Sequence, residues 1–208
     1  MNDVLQGFEN ICDKEILQTN LSYMALYIGL YEHIADMIQT RIESFLCNEM
    51  RVDGEGKWKY THSDLYKEEI KKRVVDERGN KDILKASMLW FVDSGAITHA
   101  EYELFLSLKG LRNSFTHDMS KYMWEGLSEE LAPKLIQLLD LYCKIDKWWI
   151  NEIEIPIAGD EVPDGYDREG VESVSLMTFK MMINTLYADK SDEYLKMIRD
   201  LQREYGEK

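Results

Sequence analysis

The chain is poor in the residues that staple or break a fold: 208 residues include only 3 cysteines and 3 prolines. Cys12, Cys47 and Cys143 are odd in number, far apart and free of C-x-x-C spacing, which excludes a disulfide framework and a zinc ribbon and predicts buried thiols. Positive charge is scarce as well. The 25 Lys and Arg are outnumbered by 39 Asp and Glu, and a net charge of −14 excludes a protein that coats nucleic acid through a broad basic surface. Long apolar runs are missing: the longest uncharged stretch, Ile16 to Tyr31, is interrupted by Gln18, Thr19, Asn20 and Ser22 and falls short of the roughly 20 apolar residues a bilayer span needs. No membrane partner is expected. The opening MNDVLQGFENICDKE has neither a basic start nor an apolar run, so it does not resemble a secretion signal, and a cytoplasmic protein is expected. No two of the 4 histidines fall at i, i+3 or i, i+4, so neither a metal site nor a cofactor is expected.

What is present is helical patterning on a chain with 45% apolar residues, enough for one substantial core. From about Lys14 to Met50 apolar residues recur in alternating steps of four and three at Leu17, Leu21, Met24, Ile28, Tyr31, Ala35, Ile38, Ile42 and Phe45, which predicts one long bundle helix. Residues 51 to 62 hold two glycines and read as a loop or a small extended excursion. Ser63 is placed to cap a charged helix over Asp64 to Asp76, and Gly79 and Asn80 favour a reversal. A helix from Asp82 to Val92 follows, with Gly95 where a left-handed cap belongs. Thr98 and Glu101 form a capping box opening the next helix. A further helix spans Pro133 to Ile153, where Trp148 and Trp149 point about 100° apart, so at least one belongs to the core. The stretch from Ile153 to Gly170 carries two prolines and three glycines and reads as a linker. Helices near Ser175 to Tyr187 and Asp192 to Tyr205 then suggest a hairpin. The expectation is an all-α helical bundle over residues 1–153, a linker over 154–170 and a C-terminal helical hairpin over 171–208, packed on the bundle.

Packing alone does not explain LKGLRNSFTHDMS, Leu108 to Ser120. At about 100° per residue, Phe105, Leu108, Leu111, Phe115 and Met119 form an apolar stripe with Arg112 at its edge. Asn113 and His117 lie one turn apart on an adjoining stripe, and Thr116 falls between them and Arg112. Arg112 offers a permanent planar cation suited to phosphate, and His117 exchanges a proton near neutral pH. Together they supply the parts for metal-independent RNA cleavage: His117 takes the ribose 2′-hydroxyl proton or protonates the leaving oxygen, Arg112 stabilises charge on the phosphoryl oxygens, and Asn113 orients the imidazole or the phosphate. One histidine does not easily serve as both base and acid in a single step, so a homodimer that faces two copies of the motif is predicted. In so acidic a chain RNA needs a local basic patch, for which Lys109, Lys121 and Lys134 are candidates beside Thr116. The alternative is that Arg112 pairs with a carboxylate of the long helix, such as Glu32 or Asp36, and that His117 only finishes its own helix.

Arg112-Asn113-x-x-x-His117, preceded by Asp93-Ser94-Gly95-Ala96-Ile97-Thr98 and a leucine-rich approach to the arginine, resembles the R-N-x-x-x-H signature of HEPN domains. That resemblance covers about Gly95 to Ser120. It implies an all-α HEPN-like bundle, a metal-independent endoribonuclease of toxin-antitoxin or phage-defence type, a dimer pairing two motifs, and Arg112, Asn113 and His117 as the catalytic set. An antitoxin or other regulatory protein would be a partner besides RNA. The same stretch with Phe115 is similar to the R-N-x-F-A-H segment of the mannitol-operon repressor family, all-α proteins acting through protein partners. That likeness implies a non-catalytic regulator in which Arg112 and His117 are structural or partner-binding.

Overall fold

The computed structural model describes residues 2–46, 49–75, 79–159, 162–163, 165–188, 190 and 193–196. These residues fold as an all-α bundle, with helices α1 (Asn2–Cys12), α2 (Lys14–Leu46), α3 (Asp64–Tyr66), α4 (Ile83–Asp93), α5 (His99–His117), α6 (Met119–Glu125), α7 (Ala132–Trp149), α8 (Ile155–Ala158) and α9 (Val174–Tyr187). The segment over 51–62 closes a two-stranded antiparallel hairpin, β1 (Glu49–Val52) and β2 (Trp58–Thr61), in register from Glu49 opposite Thr61 to Val52 opposite Trp58. Its turn is held by Asp53, whose carboxylate accepts the Glu55 and Lys57 N–H groups at 2.9 and 3.0 Å; these bonds hold its carboxyl below the usual carboxylate range.

The axis is α2. Met24, Tyr27, Leu30, Tyr31, Ile34, Ile38 and Ile42 along it are fully buried. The apolar stripe read from the sequence covers only part of this surface: Leu21 and Phe45 are exposed, whereas Tyr23, Tyr27, Leu30 and Ile34 are buried. The reason is that α2 is touched by α4, α5 and α7 and, at its flanks, by α1, α6 and α9, so its buried arc exceeds a single two-helix seam. Aromatic rings set the α2–α5 contact. Tyr31 stacks on Phe105 with centroids 4.8 Å apart, and Tyr27 meets Phe115 edge-on at 5.3 Å while its hydroxyl donates to the Leu108 carbonyl at 3.0 Å. Because higher numbers on α2 meet lower numbers on α5, the two helices run antiparallel.

The helix expected over 64–76 is shorter than its charge pattern suggested. Ser63 caps α3 as foreseen, accepting the Tyr66 N–H at 3.0 Å, but a π turn at Lys67–Lys71 ends the helical run. Gly79, at φ 80°, and a bridge between Val75 and Lys81 then reverse the chain. Glu77 and Arg78 of the expected turn lie outside the described residues. Gly95, at φ 77°, closes α4 with the predicted left-handed cap, its N–H donating to the Val92 carbonyl at 3.0 Å.

Three helices were not foreseen. α1 and α6 pack on each other, Gly7 against the Trp124 ring and the Asn10 amide donating to the Trp124 carbonyl at 2.8 Å. At the far end α7 continues through a π turn (Ile150–Glu154) into α8, so helix extends into the segment read as a linker. Pro156 explains the widened turn: it has no N–H for the Glu152 carbonyl, and its ring crowds that carbonyl in a regular α-turn.

Arg41 and Asp146 tie the bundle to the segment before α9. The Arg41 guanidinium meets the fully buried Asp146 carboxylate at 2.7 Å and lies over Trp149 at 5.6 Å, and the other carboxylate oxygen accepts the Ser173 N–H at 2.7 Å. Ser173 caps α9, which buries Leu176 and Ile183. Of the second hairpin helix only 193–196 is described, and it is helical; the expected cap at Ser191 and the remainder lie outside the described residues. Trp149 is the core tryptophan of its pair, and Trp148 is half-buried. Cys12 is exposed rather than buried, because it ends α1 on its outer side; Cys143 is half-buried; Cys47 lies outside the described residues.

Candidate functional site

The motif sits on the last two turns of α5. The helix starts at the predicted capping box: Thr98 Oγ1 accepts the Glu101 N–H at 3.2 Å and the Glu101 carboxylate accepts the Thr98 N–H at 2.6 Å. Lys144 of α7 reaches the same carboxylate at 2.8 Å. Burial of Glu101 opposes its ionisation, but the hydrogen bonds from Lys144 and Thr98 outweigh it and hold the carboxyl below its ordinary value. The start of α5 is therefore fixed to two neighbours.

Its end is free. α5 stops at His117, where Asp118 leaves helical geometry at φ −117° and ψ 26°, and α6 restarts at Met119 in a new direction. Met119 consequently leaves the α5 stripe and is exposed. Tyr122 of α6 turns back onto Phe115, edge-on at 4.9 Å, and seals the core beneath the motif.

Around this end the candidate residues separate into held and open groups. Arg112 is half-buried; its Nε lies against the Glu32 carboxylate of α2, and its Nη1 donates to Asn113 Oδ1 at 2.9 Å. The Arg112 side chain as a whole retains 28% exposure. Asn113 thus steadies the arginine through its carbonyl oxygen. Thr116 is exposed and donates its hydroxyl to the Arg112 carbonyl at 3.0 Å, leaving its lone pairs outward. His117 is exposed and makes no hydrogen bond or ion pair with the described residues.

The lysines diverge. Lys121 on α6 lies 3.9 Å from Glu125 and is largely exposed, and Lys134 donates to Gln137 at 3.3 Å on α7. Lys109 lies one turn before Arg112 on α5 and lines a cleft of about 760 Å³ with Gln39 of α2 and Lys81, Asp82 and Lys85 at the start of α4. Lys81 and Lys85 were not singled out in the sequence. They are 24 or more positions from Lys109, and the turn at Gly95 that folds α5 back on α4 brings them to the same cleft.

Among the described residues no group of three His, Cys, Asp or Glu side chains is placed to hold a metal ion. No helix among them is long and apolar enough to cross a membrane. No family model, curated protein or solved structure matches the chain.

Proposed function

We propose that the protein is a HEPN-like, metal-independent endoribonuclease of toxin-antitoxin or phage-defence type that cleaves RNA at a cleft between two copies of itself. The observation that carries this reading is the open imidazole of His117 at the end of α5, beside an Arg112 that Glu32 and Asn113 orient without covering. The ribose 2′-hydroxyl attacks the adjacent phosphorus and gives its proton to one imidazole. The bond from phosphorus to the 5′-oxygen breaks, and the leaving oxygen takes a proton from the second copy's imidazolium. Arg112 offsets the charge that grows on the non-bridging oxygens. The products are a 2′,3′-cyclic phosphate and a 5′-hydroxyl. A cytoplasmic setting and an antitoxin or other regulatory partner belong to the same reading.

The experiment is incubation of the purified protein with RNA and a chelator. Wild-type cleavage ending in a 2′,3′-cyclic phosphate, abolished in His117→Ala and Arg112→Ala, is expected; equal cleavage by wild type and His117→Ala sinks the proposal.

One observation favours a second reading, a non-catalytic regulator resembling mannitol-operon repressors: the Arg112–Glu32 pair joins α5 to α2 within one chain, as a structural arginine would. Under it, RNA stays intact and a protein partner binds with an affinity that His117→Ala changes and chelators do not.

A further inference from the structure

The charge pattern of the cleft beside the motif runs against that of the molecule. Acidic residues outnumber basic ones 39 to 25 along the chain, yet the cleft is lined by Lys81, Lys85 and Lys109 against the single carboxylate of Asp82. That carboxylate is already engaged. Its Oδ1 accepts the Lys85 N–H at 3.0 Å as the cap of α4, and its Oδ2 lies 3.9 Å from the Lys85 ammonium. Elsewhere lysines find acids readily: Lys57, Lys67, Lys72, Lys144 and Lys180 each meet a carboxylate. Lys81 and Lys109 meet none among the described residues. Like charges gathered in one concavity repel each other and lower local stability unless an anion sits among them.

The cleft also shares α5 with the motif, since Lys109 lies one turn before Arg112. Glu32 and Gln39 are seven residues apart on α2 and so share a face. On α5, Arg112 meets Glu32, while Lys109 lines the cleft together with Gln39. Along α5, therefore, His117 and Arg112 are followed by Lys109, whose cleft reaches Lys81 and Lys85. The Tyr31 hydroxyl, buried and without a hydrogen-bond partner, is within the electrostatic reach of Glu32, Arg112 and Asp82.

Resting on the RNA-cleaving reading, we infer that the cleft formed by Lys81, Lys85 and Lys109 is the strand-binding subsite of the enzyme, holding backbone phosphates of the RNA next to the one that Arg112 grips. An extended strand spaces its phosphates at roughly the distance of one or two helical turns, so a chain lying in the α2–α5 seam presents successive phosphates to Arg112, Lys109 and the α4 lysines. Affinity then comes from a local cationic track, and the acidic remainder of the surface discourages binding elsewhere.

The test uses a fluorescent 2′-O-methyl oligoribonucleotide, which lacks the attacking hydroxyl and is not cut. Its binding to full-length wild type, to the triple variant Lys81→Gln, Lys85→Gln, Lys109→Gln and to a control with the same charge change at Lys57, Lys59 and Lys67 is followed by anisotropy across salt concentrations. The cleft variant should bind about tenfold more weakly or worse, with its salt slope shallower by about 0.7 for each phosphate that is no longer neutralised, so about 2 in all. The control should stay within about twofold of wild type. Equal losses in cleft and control variants would reduce the effect to overall charge and overturn the subsite. If neither triple variant loses affinity, the subsite fails while RNA binding stands. Absence of wild-type binding at low salt removes both the subsite and the nuclease reading, and stabilisation of wild type but not of the cleft variant by inorganic pyrophosphate would then reassign the cleft to a small phosphate ligand.

Discussion

Asp146 is fully buried, with Arg41 on one oxygen and the Ser173 N–H on the other. Replacing it with Ala strands a mostly buried guanidinium whose Nη1 already lacks a partner, and breaking such a pair costs about 3–5 kcal/mol. Asp146→Ala should therefore shift the urea midpoint strongly, whereas His117→Ala, at an exposed position without partners, should stay within about 0.5 kcal/mol of wild type. Denaturation curves of the two variants check both. This contrast matters for function, because a loss of cleavage in His117→Ala cannot then be ascribed to unfolding. Glu32→Gln should cost no more than about 1 kcal/mol, since its carboxylate is about half exposed and solvent screens the pair. His33 carries a pH signature: burial pushes its imidazole below the ordinary value of 6.5, so the folded state binds its proton less readily than the unfolded chain. Its contribution is present in full above about pH 6.5 and is lost as pH falls through the lower folded value. A pH series of urea midpoints should fall below that point and flatten in His33→Gln. At this scale the Arg112–Glu32 pair was legible as one of two carboxylate options, because both acids lie on the long helix. The Asn113 contact was not, since a side chain next in sequence normally points away, and only the fork of Arg112 reaching back closes the gap.

Helix α1 is placed by a near absence of side chain. A Cβ on Gly7 would lie 2.2 Å from the Trp124 ring, so α1 approaches α6 closer than any other residue allows. Gly7→Ala should lift α1 from α6, even though Ala is intrinsically the better helix former by about 1 kcal/mol. Hydrogen exchange should show reduced protection in α6, whose first residue lies two positions beyond His117, with α4 and α7 unaffected; preserved protection would mean that the helices yield by sliding. Elements with strong local signals were readable: α2 from its period, α5 from the Thr98 capping box, and the end of α4 from Gly95. Those set by distant partners were not. α1 is defined by Trp124, 117 positions from Gly7, and the break between α5 and α6 carries neither Gly nor Pro. The all-α class and the placement of the motif at the edge of the core followed from the pattern; the cleft did not, because its lysines come from separate elements and are ordinary surface residues until α4 packs on α5.

The whole molecule carries −14, and a dimer would bring two such charges together. Raising ionic strength from about 0.01 to 0.15 M shortens the Debye length from about 30 to 8 Å and relieves that repulsion. The proposed RNA contact responds in the opposite sense, because each phosphate neutralised by a lysine releases counterions and is weakened by added salt. Dimerisation and RNA binding should therefore show opposite salt dependences in one protein. Sedimentation equilibrium should show self-association strengthening over this range while anisotropy shows oligonucleotide affinity falling. The apolar surface available for such association includes Val4, Leu5 and Ile11 on α1, all exposed and carried by the helix that packs on α6 beside the motif. Contacts made through them gain from burial, which salt does not screen. Replacing Val4 and Leu5 with Ser should accordingly weaken the dimer at every salt concentration and lower cleavage in proportion to the fall in dimer, while the monomer's oligonucleotide affinity per chain is retained. A self-association that weakens with salt would place charge pairs at the interface instead, and a monomer that cleaves as fast as the dimer would dismiss the need for two imidazoles.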